Sequence, residues 1–224
     1  IRSVLKNIKG LFNKDNVFVN LSKGLELGSH KRISEVFYDE ISSEIPYAIL
    51  SGPSHAEEVI KKMPTAVVCA SMDKNLAIKI QEIFNTESFR VYWSNDVVGV
   101  ELGGAIKNTL AFGIGMLDGL GYGDNTKAAV ITRGIHEMSR LLDSYKADSN
   151  TINGLAGVGD LIVTATSMHS RNYRTGLLIA KGYSKEEAYK EIKMVVEGIP
   201  TTKALYELAN EKDLDLPITR EIYK

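Results

Sequence analysis

Apolar and polar positions change rhythm once along this chain. From residue 1 to about 94, short β-branched runs alternate with stretches of helical spacing, the arrangement expected of βαβ units around a largely parallel sheet. Strands are predicted over Val17–Leu21, Tyr47–Leu50, Thr65–Ala70 and Phe89–Trp93. Helices are predicted near Ile33–Ser42, His55–Lys61 and Lys74–Phe84, the last with Leu76, Ala77, Ile80, Ile83 and Phe84 on one face. Ahead of the first strand, Val4, Leu5 and Ile8 have the spacing of an amphipathic helix already under way at Ile1, as if an upstream part were absent.

After Asp96 the period of two stops and helices follow one another, so a boundary is expected that divides the chain into residues 1–94 and 95–224. Asp96 can cap a long apolar helix to about Gly119, and Asp124 a second whose Ala128, Val130, Ile131, Ile135, Met138, Leu141 and Leu142 form a core stripe. Shorter helices are predicted near 171–181, 184–193 and 201–211, with Pro217 opening a last one that the chain leaves unfinished. The fold class is therefore α/β, a sheet domain followed by an all-α domain. Val97–Leu120 is long enough to cross a bilayer, but Glu101 and Lys107 lie inside it, so a buried core helix is expected and no membrane span.

Composition narrows the partners. With 27 Lys plus Arg against 28 Asp plus Glu, the chain has no basic excess for nucleic acid or an anionic membrane, and any anion site must be local. The single cysteine, Cys69, lies in the apolar run Ala66–Ala70 and reads as a buried strand thiol, which suits a reducing cytoplasm. No signal or transit peptide is visible. His30, His55, His136 and His169 fall in no metal-ligand spacing, so no metal is expected.

Lys107 stands out because Glu101-Leu102-Gly103-Gly104-Ala105-Ile106-Lys107-Asn108 sets an ammonium among small and apolar neighbours. Desolvation would lower its pKa toward that of a general acid/base; a lysine paired with a carboxylate, or snorkelling to the surface, is the alternative. Lys23 follows the first strand, where ligands of open α/β sheets bind. Ser51-Gly52-Pro53-Ser54-His55-Ala56 turns out of the second strand, with Ser54 a plausible N-cap leaving N–H groups for an anion or a nicotinamide amide. Gly157-Val158-Gly159-Asp160-Leu161 reads either as a helix junction capped by Asp160 or as a site. Ser170-Arg171-Asn172 offers donors with fork geometry for a phosphate, or is a solvated helix start. No strand leads into G-x-G-x-x-G and no P-loop occurs.

In this order and spacing, Ser22-Lys23-Gly24-Leu25-Glu26, Leu50 to Ala56, Glu101 to Asn108, Gly157 to Leu161, Ser170 to Asn172 and Val195-Val196-Glu197-Gly198 resemble the bacterial NAD(P)-dependent glycerol-3-phosphate dehydrogenase family over essentially the whole chain. The resemblance implies part of a Rossmann-type domain followed by a helical substrate domain of the 6-phosphogluconate-dehydrogenase-like C-terminal kind. It further implies NAD or NADP as cofactor, glycerol 3-phosphate and dihydroxyacetone phosphate as small-molecule substrates in phospholipid precursor supply, and a cytoplasmic homodimer. Lys107, Lys23 and Asp160 would be catalytic. Gly52, Ser54, Thr164, Ser170, Arg171 and Asn172 would join them around the substrate. Lys23, Ala56, Arg171, Val195 and Glu197 would lie near the cofactor, Val195 having core packing as its alternative.

The family's first strand, phosphate loop and helix are not matched, and its pattern runs on beyond Lys224. Little turnover, weak NAD(H) binding and an aggregation-prone sheet edge are therefore expected of these 224 residues alone. Two other readings stay open: a phosphometabolite-binding module without chemistry, and a related hydroxyacid dehydrogenase. Gly-Asp-Leu together with Ser-Arg-Asn favours the phosphorylated triol.

Overall fold

The structure, a computed structural model, describes residues 1–13 and 15–224. The first layer is built from α1 (Arg2–Ile8), β1 (Phe18–Asn20), α2 (Ile33–Glu40), β2 (Tyr47–Ser51), α3 (Ala56–Val59), β3 (Thr65–Ala70), α4 (Lys74–Phe84) and β4 (Phe89–Ser94). The strands lie in the order β1-β2-β3-β4. β1–β2 and β3–β4 are parallel, but β2 and β3 run antiparallel, with Leu50 opposite Cys69 and Ser51 opposite Val68. The sheet is thus mixed, where alternating strands and helices had suggested a largely parallel one. The reason is the connection: α2 and α4 make full crossovers, whereas α3 is a single turn and the chain reverses around it. The helix expected over His55–Lys61 shrinks to that turn.

β2 is buried along its whole length, as a central strand with both faces covered must be. On one face, Ala48, Leu50, Val67, Cys69 and Val91 pack against Leu76, Ala77 and Ile80 of α4. On the other, Tyr47, Ile49 and Ala70 meet Phe37 of α2.

The second layer holds α5 (Val97–Gly119), α6 (Asp124–Ser144), α7 (Asp160–Thr166), α8 (Arg171–Ala180), α9 (Lys185–Ile192), α10 (Gly198–Glu211) and α11 (Pro217–Tyr223). Asp96 caps α5, its carboxylate accepting from Gly99 N at 2.9 Å. The helix is buried from Gly99 to Gly115, so the segment long enough for a bilayer is the core of the helical layer. α8 lies against α5 backbone to backbone: a Cβ on Gly115 would collide with the Tyr173 carbonyl, and one on Gly176 with that of Phe112. Ser170 caps α8 and Ser184 caps α9, while α10 begins at Gly198 rather than near 201. The expected Asp124 cap is absent. Gly123 takes the N-cap position, and Asp124 lies inside the first turn of α6, paired with Lys127 at 2.9 Å.

The layers share their cores. Leu25, from the segment after β1, joins Leu205 and Leu208 of α10 in the helical core, while Val97 and Val100 of α5 join the sheet-side cluster. Glu101 welds them further: its buried carboxylate accepts from Ser34 N at 2.7 Å, Ser34 Oγ at 2.6 Å, and Tyr47 OH and Arg32 Nη1 at 2.8 Å each. That anchor lies less than two turns from Lys107 on the same helix.

Candidate active site

Lys107 projects from α5 at the seam of the two layers and is 5% exposed. Its Nζ donates to Asp160 Oδ1 at 2.8 Å and to Thr164 Oγ1 at 2.7 Å. Asp160 opens α7 and Thr164 follows one turn later, which sets both on one helix face. The approach to α7 is a π-helical turn, Leu155–Gly159, where a side chain at Gly157 would collide with the Ile152 backbone. Asp160 therefore does not cap the helix, the alternative its position suggested; its carboxylate turns inward. From the loop after β1, Lys23 Nζ reaches the other oxygen, Asp160 Oδ2, at 2.6 Å.

One buried carboxylate thus bridges two ammonium groups. Burial pushes the Lys107 pKa down, the Lys23 charge lowers it further, and Asp160 only partly opposes, leaving it at about 8. Burial would raise the Asp160 carboxyl, but the charges of Lys107 and Lys23 outweigh it and hold it below the usual range. The two readings of Lys107 from sequence prove compatible, since the lysine is both paired and desolvated.

Across from this cluster stands the start of α8. Asn172 Nδ2 donates to Asn108 Oδ1 at 2.9 Å, and Asn108 Nδ2 to Glu197 Oε2 at 3.1 Å. Gly198 N closes the chain onto Asn172 Oδ1 at 2.9 Å. Burial lifts the Glu197 carboxyl above its ordinary value against the pull of Arg171 and the two lysines. A cavity of about 440 Å³ lies between the walls, lined by Lys23, Lys107, Asp160 and Thr164 on one side and by Ser170, Arg171, Asn172 and Glu197 on another.

The sheet closes the cavity through Gly52, Ser54 and Ala56. Gly52 has φ +146°, and a Cβ there would lie 2.9 Å from Val67 Cα, so the reversal after β2 requires glycine. Ser54 is not the expected N-cap: its Oγ donates to Gly52 O at 3.1 Å, and His55 takes the N-cap position of α3. Val195 is the expected residue that does not line this cavity. It is 73% exposed, so it is not a core residue either, and its neighbour Met194 lines the cavity instead. Other lining residues carried no expectation of their own, among them Ser51, His55, Asn108, His169 and Met194. Asn108 could have been found beside Lys107, whereas His55 and His169, whose rings lie 5.8 Å apart, come from different layers and share no sequence signal.

A mixed sheet joined to an all-helical layer, with a cavity at the strand ends and a desolvated lysine facing it, defines a two-layer protein that can hold a ligand beside a candidate acid/base. The comparisons make this specific. Residues 1–77 match the family model of the N-terminus of NAD-dependent glycerol-3-phosphate dehydrogenase and residues 96–224 that of its C-terminus. The glycerol-3-phosphate dehydrogenase [NAD(P)+] of Thermoanaerobacter sp. (strain X514) is 52% identical over 223 residues, covering 100% of this chain and 67% of that protein. That of Staphylococcus epidermidis is 51% identical over 226 residues, covering 100% and 68%. The crystal structure of glycerol-3-phosphate dehydrogenase from Coxiella burnetii superposes with a TM-score of 0.95 at 38% identity, over 99% of this chain and 68% of that one. The chain belongs to the NAD-dependent glycerol-3-phosphate dehydrogenase family, an oxidoreductase family, and spans about two thirds of the length of these relatives.

Proposed function

We propose that this cavity interconverts glycerol 3-phosphate and dihydroxyacetone phosphate, with Lys107 moving the proton. The observation that carries the reading is the Lys107 ammonium, with its pKa at about 8, facing a cavity whose far wall holds Arg171. In ketone reduction Lys107 Nζ gives a proton to the carbonyl oxygen; in alcohol oxidation the neutral amine takes the hydroxyl proton. Asp160 and Thr164 aim Nζ, and Lys23 polarises the same oxygen by its charge. The phosphate meets the N-terminus of α8 and the Arg171 fork, with Ser170 and Asn172 beside it.

The sheet wall suits a nicotinamide. Gly52 and Ala56 keep it free of bulk, and Ser51 Oγ is buried there without a hydrogen-bond partner among the described residues. Gly52, Ala56, Arg171 and Glu197 would hold the nicotinamide end of NAD or NADP, which supplies or accepts the hydride when bound. In this reading residues 1–94 form the cofactor-side domain and 95–224 the substrate-side domain, with Lys23 reaching the substrate from the first and Arg171 and Glu197 reaching the nicotinamide from the second. The enzyme works in phospholipid precursor supply as a cytoplasmic homodimer; Cys69, buried and with its thiol pushed up to about 11, is suited to a reducing compartment.

The test is Arg171→Ala in a chain of the relatives' full length, assayed with dihydroxyacetone phosphate and with unphosphorylated dihydroxyacetone. A charge-assisted hydrogen bond predicts a loss of roughly 10- to 150-fold in kcat/KM for the phosphate ester, mostly in KM, and little for the other. Equal losses on both would overturn the phosphate assignment.

A further inference from the structure

His30 lies in the segment between β1 and α2, the same loop that carries Lys23, and is 7% exposed. Its ring is held at both nitrogens: Nδ1 lies 3.0 Å from Glu211 Oε2 and Nε2 3.1 Å from Glu207 Oε2, both glutamates on α10. A neutral imidazole has one N–H and one lone pair, so it can satisfy only one of these carboxylates, and the pair of contacts requires the imidazolium. The loop spans the two layers. Lys23 meets Asp160, Leu25 enters the helical core, and the Gly24 backbone passes so close to α10 that a Cβ there would lie 3.1 Å from Thr201 Oγ1.

We propose that His30 is a positioning residue for Lys23: its imidazolium, bridging Glu207 and Glu211, clamps the Lys23 loop onto α10 and loosens it when the ring loses a proton. The inference rests on the role given to Lys23 above. The charges on α10 facing the ring are the two glutamates, with Lys203 3.8 Å from Glu207. Lys212, at the end of that helix, overlies the Tyr145 ring at 4.6 Å, and Tyr145 feels the Glu211 charge. On the loop itself, Glu26 is paired with Arg2 and Lys31 with Asp39, so neither competes for the ring. Burial would lower the His30 pKa, but the two glutamates outweigh it and raise it above 6.5. The clamp is therefore complete below the ordinary histidine pKa and lost as pH rises through the raised one.

The experiment follows the His30 ring by NMR and the exchange of the Glu26 and His30 amides, which close the loop onto Lys31 O and Glu26 O at 2.9 Å, from about pH 5.5 to about 9. With intrinsic exchange divided out, protection is expected to fall roughly threefold to tenfold across the His30 midpoint. Glu211→Gln, at an exposed position, should lower that midpoint. His30→Asn, which tolerates the residue's φ of +55°, should abolish the step and lower kcat/KM a few-fold near pH 6.5 but not near pH 9. Protection flat through the titration, a midpoint unmoved by Glu211→Gln, or an Asn variant as active as the wild type near pH 6.5 would overturn the clamp. The NMR and exchange readouts need no turnover, so failure of the dehydrogenase reading would show separately.

Discussion

Lys107 and Lys23 reach opposite oxygens of one carboxylate from supports of different kinds. Lys107 stands on α5, pinned backbone to backbone against α8 and welded to the sheet through Glu101. Lys23 stands on an irregular loop with Gly24 at φ +124°, its side chain 17% exposed and held by Asp160. A group that must hand over a proton at a fixed atom needs a dry, rigid seat, and the same dryness brings its pKa near neutrality. A group that contributes charge can act from a segment with more freedom, because Coulomb energy varies more gently with distance than hydrogen-bond geometry does.

The largest test of this contrast is Lys107→Ala in a chain of the relatives' full length, expected to lower kcat by roughly 100- to 10,000-fold while calorimetry still detects phosphate-ester binding. Near-normal turnover would end the proton-transfer assignment. In the wild type, oxidation needs the neutral amine and should rise with pH through about 8, whereas reduction needs the ammonium and should fall through the same value.

Lys23→Ala should cost less, roughly 10- to 150-fold in kcat/KM, and should move the Lys107 inflection upward, because the Lys23 charge is one of the causes that depress it. An inflection that stays or falls would separate the two lysines. The rigid support itself is probed by Gly115→Ala, which forces a methyl into the Tyr173 carbonyl and should destabilise the fold by about 1–3 kcal/mol in thermal or denaturant unfolding. Smallest of all, Val195→Ala at its exposed position should leave stability within about 0.5 kcal/mol and the cofactor KM within about twofold. A tenfold rise in that KM would return Val195 to the cofactor site.

Much of the site was legible because its residues stand in short motifs whose local geometry the chain itself dictates. Lys107 is conspicuous as an ammonium among glycines and alanine, and Lys23 and Gly52 follow strands. The errors share a cause. Asp124 and Ser54 are residue types that cap helices, and each sits where a cap is plausible, yet each side chain found another partner. Val195 belongs to a motif whose neighbours line the cavity, and only the path of the loop shows that its own side chain points out.

By itself the sequence determined most of the elements and their local closures: the apolar run of β3, the apolar stripe of α4, the Asp96 and Ser170 caps, and Pro217 at the head of α11. Those are interactions within a turn or two of chain, so a single segment contains their cause. Tertiary structure alone decided that β3 runs against β2, since a run of apolar residues is equally buried in either direction. It alone brought Asp160 to Lys107 and Lys23 across 53 and 137 positions and His30 to Glu211 across 181. Charge, burial and pKa at these sites depend on distances that no local pattern contains; they come into being only when the two layers close on each other.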